Sequence, residues 1–325
     1  MNDISSLDTL YQPIVGALEQ ARDTINALWQ DALRLVCMEN GQPPKAGGKL
    51  LRPALCLLSA AASGAPDVRP YARLGVVFEA LHIASLAHDD VIDHAILRRG
   101  DASLNARWDN HAAVLGGDYL VARAVQMLAE YDSCEVIAAA IACVRRMAEG
   151  ELFFFGRDEA SILPEDCIML AEQKTASLFA EACAAPARLL GGAYCEALHR
   201  FGIGFGIAFQ IVDDLLDLTQ TAETLGKPAC GDIVEGKHTL PIVLMRQRLD
   251  DAGRGRLNAL CGAEITDADR EWVRDQLQKT QAEEVAQTAA KEYVRKAKEA
   301  LRSLPDSPYR ASMEGLADYI LVRVS

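Results

Sequence analysis

The sequence predicts an all-α protein, and three observations support that prediction. Apolar residues recur at positions i, i+3, i+4 and i+7 over long windows, which is the periodicity of an amphipathic helix. Alternating runs of Val, Ile and Thr, which are typical of strands, are nearly absent. Half of the 325 residues are apolar and only 6% are aromatic. A chain of this length with this apolar content can bury a large helical core.

Helical periodicity covers most of the chain. In chain order, the predicted helices span residues 15–40, 51–63, 69–96, 111–131, 133–158, 164–190, 193–224, 239–260, 266–282, 283–303 and 307–324. Two of the predicted helices carry acids in the first turn, where a negative charge interacts favourably with the helix dipole. Glu165 and Asp166 follow Pro164, and Asp267 follows Thr266. No linker or change of composition divides the chain, and we expect one domain over residues 1–325.

Composition excludes several classes of protein. The chain has 33 basic and 46 acidic residues, a formal net charge of −13, which argues against a nucleic-acid partner because such proteins need a basic surface. Its apolar content is too high for a disordered chain. No apolar run is long enough to span a membrane, and the nine scattered cysteines lack the spacing of a metal or disulfide framework. We therefore expect a cytoplasmic protein.

Two aspartate clusters share the pattern DDxxD. The first covers residues 89–93 and the second residues 213–217, and each ends an apolar helical stretch. Aspartates four residues apart lie on the same face of a helix, and like charges so close to a core need a compensating cation. All-carboxylate ligands suit Mg²⁺ better than zinc, and neither cluster has the glycine and glutamate of an EF-hand loop.

Basic residues are concentrated in loops, although the protein is acidic. Lys49 and Arg52 lie in the loop 41–53, and Arg98 and Arg99 lie in the loop 97–108. Two lysines, Lys227 and Lys237, follow the second aspartate cluster, and a Lys-Thr pair at 174–175 lies within a predicted helix. Lysine and arginine bind phosphate groups that Mg²⁺ also holds. An acidic helix end followed by a basic loop, occurring twice, indicates a diphosphate-binding site.

These motifs resemble those of the trans-isoprenyl diphosphate synthases of the polyprenyl synthetase family. The resemblance covers roughly residues 40–325. Its motifs are GGKLLRP (47–53), LHIASLAHDDVIDHAILRRG (81–100), AVLGGDYLVARA (113–124), KTASLF (174–179), FGIAFQIVDDLLD (205–217), LGKPACGD (225–232) and EGKHTLP (235–241). The chain departs from the family after Glu151, where the family usually carries a glutamine and this chain has Leu152 followed by Phe153–Phe155.

The resemblance implies a single large helical bundle around a deep central cavity, usually in a homodimer. It implies that about three Mg²⁺ ions hold the diphosphate of an allylic substrate while isopentenyl diphosphate binds beside it. The implied metal ligands are Asp89, Asp93 and Asp213, with support from Asp90, Asp214 and Asp217. The basic residues implied on the allylic side are Arg98, Lys174, Lys227 and Lys237. Those implied at isopentenyl diphosphate are Lys49, Arg52, His82 and Arg99, and Thr175 and Gln210 would line the reacting centre.

The helix before the first cluster is expected to line the tunnel for the growing prenyl tail. Ala84 and Ser85, four and five residues before Asp89, are small, whereas in short-chain relatives a bulky aromatic closes the tunnel here. We expect the tail to pass them and to stop nearer Leu81, Phe78 or the Phe153–Phe155 run. The implied product is therefore longer than C15.

Two other functions remain open at this point. A class I terpene cyclase also uses DDxxD and Mg²⁺, but its second metal site usually carries Asn, Ser or Thr and Glu, and a second set of basic residues would have no purpose there. A non-catalytic subunit of a heteromeric synthase typically loses one aspartate cluster, whereas this chain keeps both.

Overall fold

Helices make up nearly all of the regular structure, as the sequence predicts. A computed structural model describes residues 6–36, 48–95, 97–98, 101–158, 161–221 and 229–323. Within these ranges the buried apolar side chains from Leu10 to Ile320 form one continuous core. None of the described helices is long and apolar enough to cross a membrane.

The first half of the chain contains seven of the described helices and one short hairpin. The helices are α1 (Leu7–Tyr11), α2 (Val15–Val36), α3 (Leu51–Ala62), α4 (Ala72–Ile92), α5 (Leu104–Arg107), α6 (Asn110–Ala129) and α7 (Cys134–Phe154). Single 3-10 turns at Gln12–Ile14 and Arg69–Tyr71 precede α2 and α4. The hairpin pairs β1 (Leu97–Arg98) with β2 (Asp101–Ala102) in antiparallel register, and the sequence does not predict it.

The second half is helical throughout its described part. It contains α8 (Pro164–Leu170), a π-helical segment (Ala171–Ala176), α9 (Ser177–Leu189), α10 (Cys195–Thr219), α11 (Gly231–Val234), α12 (Leu240–Arg248), α13 (Asp251–Ala259), α14 (Asp267–Lys279), α15 (Ala282–Ala300), a 3-10 turn (Leu301–Ser303) and α16 (Pro308–Val322).

Helix α10 occupies the middle of the bundle, between α9 and α15. Glycines allow this close packing. A Cβ atom at Gly202 would lie 2.4 Å from the Cα of Ala180, and a Cβ at Gly206 would lie 2.4 Å from the Cα of Ala176. On the opposite face, a Cβ at Gly204 would lie 2.8 Å from a carbonyl oxygen of α15. The second aspartate cluster occupies the last turns of this central helix.

Two predicted helices differ from the structure for reasons of capping. The predicted helix 239–260 is two helices, because the Asp250 side chain accepts a hydrogen bond from the Gly253 amide (2.7 Å) and begins α13. The predicted helix 69–96 ends at Ile92, and His94 adopts a left-handed backbone with φ = 52°. The first cluster thus lies at the very end of α4, with Asp93 as its C-cap residue.

A π-helical segment interrupts the predicted helix 164–190. It covers Ala171–Ala176, between α8 and α9, and includes Lys174 and Thr175. A π-helical turn inserts an additional residue and changes the direction in which the neighbouring side chains point, and such turns are frequent at functional sites.

Candidate active site

The first aspartate cluster directs two carboxylates toward basic side chains. Asp89 lies 3.4 Å from the Nζ of Lys174, and Asp93 lies 2.8 Å from the Nζ of Lys237. Burial raises the pKa of Asp89 above its ordinary value, and Lys174 opposes that rise. Asp90 is buried in the helix end, and its carbonyl oxygen accepts a hydrogen bond from the Asn105 side chain. The i, i+4 pair therefore shares one face, as the sequence predicts.

The three aspartates of the second cluster have different surroundings. Asp213 is half-exposed and forms an ion pair with Arg323 at 3.2 Å. Asp214 is buried and accepts a hydrogen bond from the amide of Gln210 at 2.7 Å. The pKa of Asp214 is raised to about 7, chiefly by burial and also by the neighbouring aspartates, while the hydrogen bond from Gln210 opposes the rise. Asp217 is buried and accepts a hydrogen bond from the backbone amide of Asp232.

Adjacent residues of the π-helical segment contact the two clusters. Lys174 forms an ion pair with Asp89 of the first cluster. The hydroxyl of Thr175 donates a hydrogen bond to the side-chain oxygen Oε1 of Gln210 (2.6 Å), and the side-chain amide of Gln210 in turn donates to Asp214 of the second cluster. Lys174 and Thr175 are adjacent, and Lys174 contacts the first cluster while Thr175 is connected to the second cluster through Gln210. The two DDxxD motifs therefore lie at one site, although they are far apart in sequence.

Lys237 provides a second connection between the clusters. Its ammonium group pairs with Asp93 and also with Glu235, and its backbone amide donates to the Asp232 carbonyl oxygen. Asp232 is held in turn by the side chain of Asp217. Burial works against the charge of Lys237, but the surrounding carboxylates outweigh it and raise the pKa of this lysine.

Lys49 and Arg52 lie over aromatic rings. The ammonium group of Lys49 is 5.1 Å from the centre of the Tyr319 ring, and the guanidinium of Arg52 is 4.2 Å from that of Phe179. Phe179 packs against Phe209, with ring centres 5.5 Å apart.

The aromatic contacts lead from Arg52 back to the second cluster. The guanidinium of Arg323 lies 5.4 Å from the Phe209 ring centre, and the same guanidinium pairs with Asp213. Arg323 follows Tyr319 by one helical turn, so the end of α16 is close to both Lys49 and Asp213. Basic side chains thus lie near the second cluster as well as the first.

The residues predicted to line the prenyl tunnel lie on α4 below the first cluster. Ser85, one turn before Asp89, is half-buried, and its hydroxyl donates to the His82 carbonyl oxygen at 2.8 Å. Ala84, Leu81 and Phe78 are buried in the core. Their roles in chain length, and the deep central cavity, stay predictions.

Some predicted residues lie outside the described part of the chain. Arg99 and Lys227 are among them, and Arg98 is described only as a backbone position in β1. The described residues contain no group of three or more His, Cys, Asp or Glu side chains placed to hold a metal ion. Instead, Asp89, Asp93 and Asp213 each face a basic side chain.

Sequence reasoning missed four residues that the structure places at the site. Glu151 accepts a hydrogen bond from Lys174 at 2.7 Å, Glu235 pairs with Lys237, Asp232 bonds to Asp217, and Arg323 pairs with Asp213. Asp232 and Glu235 lie within recognised motifs, where acids near Lys237 were a usable signal, whereas Glu151 has no lysine near it in the sequence. Arg323 lies near the end of the chain, outside every motif, and only the packing of α16 reveals it.

An all-α bundle that gathers two aspartate clusters and basic side chains at one site defines a class of protein, the prenyltransferases that act on isoprenoid diphosphates. Comparison with known proteins agrees. The polyprenyl synthetase model matches residues 40–278. The chain is 37% identical to an all-trans-nonaprenyl-diphosphate synthase (geranyl-diphosphate specific) of Rhodobacter capsulatus, over 86% of each protein.

Two further relatives support the same assignment. The chain is 34% identical to the octaprenyl diphosphate synthase of Escherichia coli, over 85% of this chain and 86% of that protein. The crystal structure of a polyprenyl synthase from Caulobacter crescentus, complexed with calcium and isoprenyl diphosphate, is 31% identical, with a TM-score of 0.88 over 99% of each chain. The chain belongs to the polyprenyl synthetase family and is a trans-isoprenyl diphosphate synthase.

Proposed function

We propose that the protein condenses isopentenyl diphosphate with an allylic diphosphate, in a Mg²⁺-dependent reaction, to make an all-trans polyprenyl diphosphate longer than C15. The observation that supports this most directly is the pair of facing aspartate clusters joined by Lys174 and Lys237. The relative from R. capsulatus makes a nonaprenyl product by its name, which agrees with a long chain.

The donor set fits Mg²⁺. The clusters offer carboxylate oxygens, without His or Cys, and Mg²⁺ prefers such oxygens together with substrate phosphate. About three ions would be held by the carboxylates of Asp89, Asp93 and Asp213, with support from Asp90, Asp214 and Asp217. When bound, the ions supply positive charge to the leaving diphosphate.

The basic side chains divide into two groups. Lys174 and Lys237, with Arg98 and Lys227, bind the allylic diphosphate and stabilise the negative charge that develops on it as the allylic C–O bond ionises. The second group orients isopentenyl diphosphate, so that its double bond attacks the allylic cation. Its members are Lys49, Arg52, His82 and Arg99.

The remaining chemistry requires orientation and the exclusion of water. Thr175 and Gln210 line the reacting centre, and their hydrogen-bonded chain to Asp214 fixes both side chains. After the new C–C bond forms, a proton leaves the product and passes to the released diphosphate. The apolar core helices below the clusters exclude water, which would otherwise convert the cation to an alcohol.

We also propose that the whole chain acts as one domain and forms a homodimer through α7. The exposed side of α7 repeats small or apolar residues at alternating spacings of four and three. These residues are Cys134, Ala138, Ile141, Ala148 and Leu152, interrupted only by Arg145. A helix with an apolar stripe on its exposed side is suited to pairing with a second copy.

A single assay tests the function. The purified protein is incubated with Mg²⁺, farnesyl diphosphate and labelled isopentenyl diphosphate, and the products are separated by chain length. We expect elongated prenyl diphosphates. A cyclic hydrocarbon indicates a terpene cyclase instead, and turnover only after another synthase subunit is added indicates a non-catalytic partner.

The matched variants for this assay are Asp89→Asn and Asp23→Asn. Asp89 faces Lys174 at the site, whereas Asp23 is an exposed residue of α2, outside every motif. The first substitution is expected to lower kcat by at least about a hundredfold, by analogy with the loss of one electrostatic stabiliser at a reacting centre. The second is expected to leave the rate unchanged.

A further inference from the structure

The three consecutive phenylalanines after Leu152 have three different environments. The ring of Phe155 is 87% exposed. The guanidinium of Arg157 lies over the ring of Phe153, 3.5 Å from the centre of that ring. Phe154 stacks on the imidazole of His238, with ring centres 6.0 Å apart and an interplanar angle of 30°. Of these three rings, only that of Phe154 therefore connects α7 to the loop that follows the second aspartate cluster.

His238 is the residue after Lys237, and the loop is anchored on both sides of it. The Cys167 thiol of α8 lies 3.2 Å from the His238 carbonyl oxygen. On the other side, Lys237 pairs with Asp93, and its amide donates to the Asp232 carbonyl oxygen at 2.8 Å. The stack with Phe154 adds the contact between this loop and α7.

The last turn of α7 contacts Lys174 directly and contacts the residue that follows Lys237. Glu151 accepts a hydrogen bond from Lys174 at 2.7 Å. Phe154, one turn later, stacks on His238, which directly follows Lys237 in the sequence. Phe153 supports Phe154 with an edge-to-face contact at 5.2 Å. The same helical turn thus fixes one lysine through an acid and the other through an aromatic ring.

The geometry points to Phe154 and His238 as a pair of positioning residues that hold Lys237 in place for the allylic diphosphate. This inference rests on the proposed function, because it takes Lys237 as a diphosphate ligand. A stacked pair keeps the loop ordered before the substrate binds, so less conformational freedom is lost on binding. Aromatic pairs of this kind typically contribute an amount equivalent to about a twofold to tenfold change in affinity.

The test compares neighbouring phenylalanines. Phe154→Ala and His238→Ala are expected to weaken the binding of inorganic pyrophosphate with Mg²⁺, measured by calorimetry, by about twofold to tenfold. They should raise KM for farnesyl diphosphate similarly while KM for isopentenyl diphosphate stays unchanged. Phe155→Ala, which removes an exposed ring of the same size, is expected to bind pyrophosphate as the wild type does. Phe154→Tyr and His238→Phe keep a stacked ring and should restore binding.

A double-mutant cycle tests whether Phe154 and His238 act as a pair or contribute independently to pyrophosphate binding. If the rings act on Lys237 through each other, the double variant binds pyrophosphate no more weakly than either single variant. Equal losses in the Phe154 and Phe155 variants, or a lower melting temperature with unchanged binding and KM, would overturn the inference. If the wild type fails to elongate farnesyl diphosphate but the pyrophosphate differences remain, the proposed function fails and the positioning role stands.

Discussion

The carboxyl group of Asp214 is buried beside two other aspartates. Its pKa is about 7 in the folded protein and near 3.8 as its ordinary value. Between these values the folded chain binds more protons than the unfolded chain, so the free energy of unfolding falls as pH rises from about 4 to about 7. The difference between the two pKa values corresponds to about 4 kcal/mol.

Replacing this carboxyl group removes the fall in the free energy of unfolding that accompanies rising pH. In metal-free protein, Asp214→Asn is expected to be as stable as the wild type near pH 4 and more stable by up to about 4 kcal/mol at pH 8. Denaturant unfolding in chelator-containing buffers across this range measures the difference. Asp23→Asn on the surface of α2 serves as the control and should follow the wild type. Parallel curves for the Asp214 variant and the wild type would contradict the expectation.

Product length is the other property that single residues are expected to set. Ala84→Tyr places a ring at the position where we expect the prenyl tail to pass, so the main product should become shorter. Because Ala84 is fully buried, Ser85→Phe on the half-buried face of α4 is a second variant. Chromatography of the products measures both, and Ala129→Tyr on the surface of α6 is the control. Unchanged product length in both folded variants would argue against this tunnel.

At the scale of the elements, α10 packs directly against the π-helical segment. A Cβ at position 206 would lie 2.4 Å from the Cα of Ala176, next to Thr175. Gly206→Ala should therefore destabilise the protein by about 1–3 kcal/mol and lower kcat, because it displaces the hydroxyl that bonds to Gln210. Gly116→Ala in α6, where nothing lies within 4 Å of the new Cβ, should instead be neutral or stabilising by up to about 1 kcal/mol. Thermal unfolding and steady-state rates measure both effects.

The helices were largely predictable and their ends were less so. Periodicity located α4 and α10 because both bury long apolar stretches, and the DDxxD spacing placed Asp89 and Asp93 on one face. The break at Asp250 was missed, because its capping role competes with an unbroken apolar pattern. The π-helical turn was missed for another reason. A single inserted residue leaves periodicity nearly intact, while it changes the partners of Lys174 and Thr175.

Contacts between distant segments could be predicted only through the family resemblance. Nothing in the local sequence of Arg323 indicates a partner in α10, since their contact depends on how α16 packs beside α3 and α10. The Phe154–His238 stack likewise joins the Phe153–Phe155 run to the motif at 235–241, and the sequence does not contain their relative placement. Motif resemblance supplied the roles of the aspartates and lysines, whereas packing supplied Glu151 and Asp232.

At the scale of the whole molecule, the exposed stripe on α7 makes assembly testable. Leu152 is 69% exposed and Ile141 is 47% exposed on the same side of the helix. Ile141→Glu puts a charge into the proposed contact between two copies, where burial without a partner is costly. We expect a monomer by light scattering at micromolar concentration and a dimer for the wild type. Val285→Glu, at an exposed apolar position of α15, should remain dimeric, and a dimeric Ile141 variant would exclude this surface.

Lys174, Lys237 and Arg323 each already neutralise one aspartate of the proposed metal site. The chain therefore carries its own counter-ions, and we expect it to fold without bound metal. Asp89, Asp93 and Asp213 would hold magnesium together with the diphosphate, while Lys174 and Lys237 would pair with the phosphate groups of the substrate instead. A chelator should leave the melting temperature unchanged, whereas magnesium with pyrophosphate should raise it. A clear loss of stability on chelation would show that the ion is part of the scaffold.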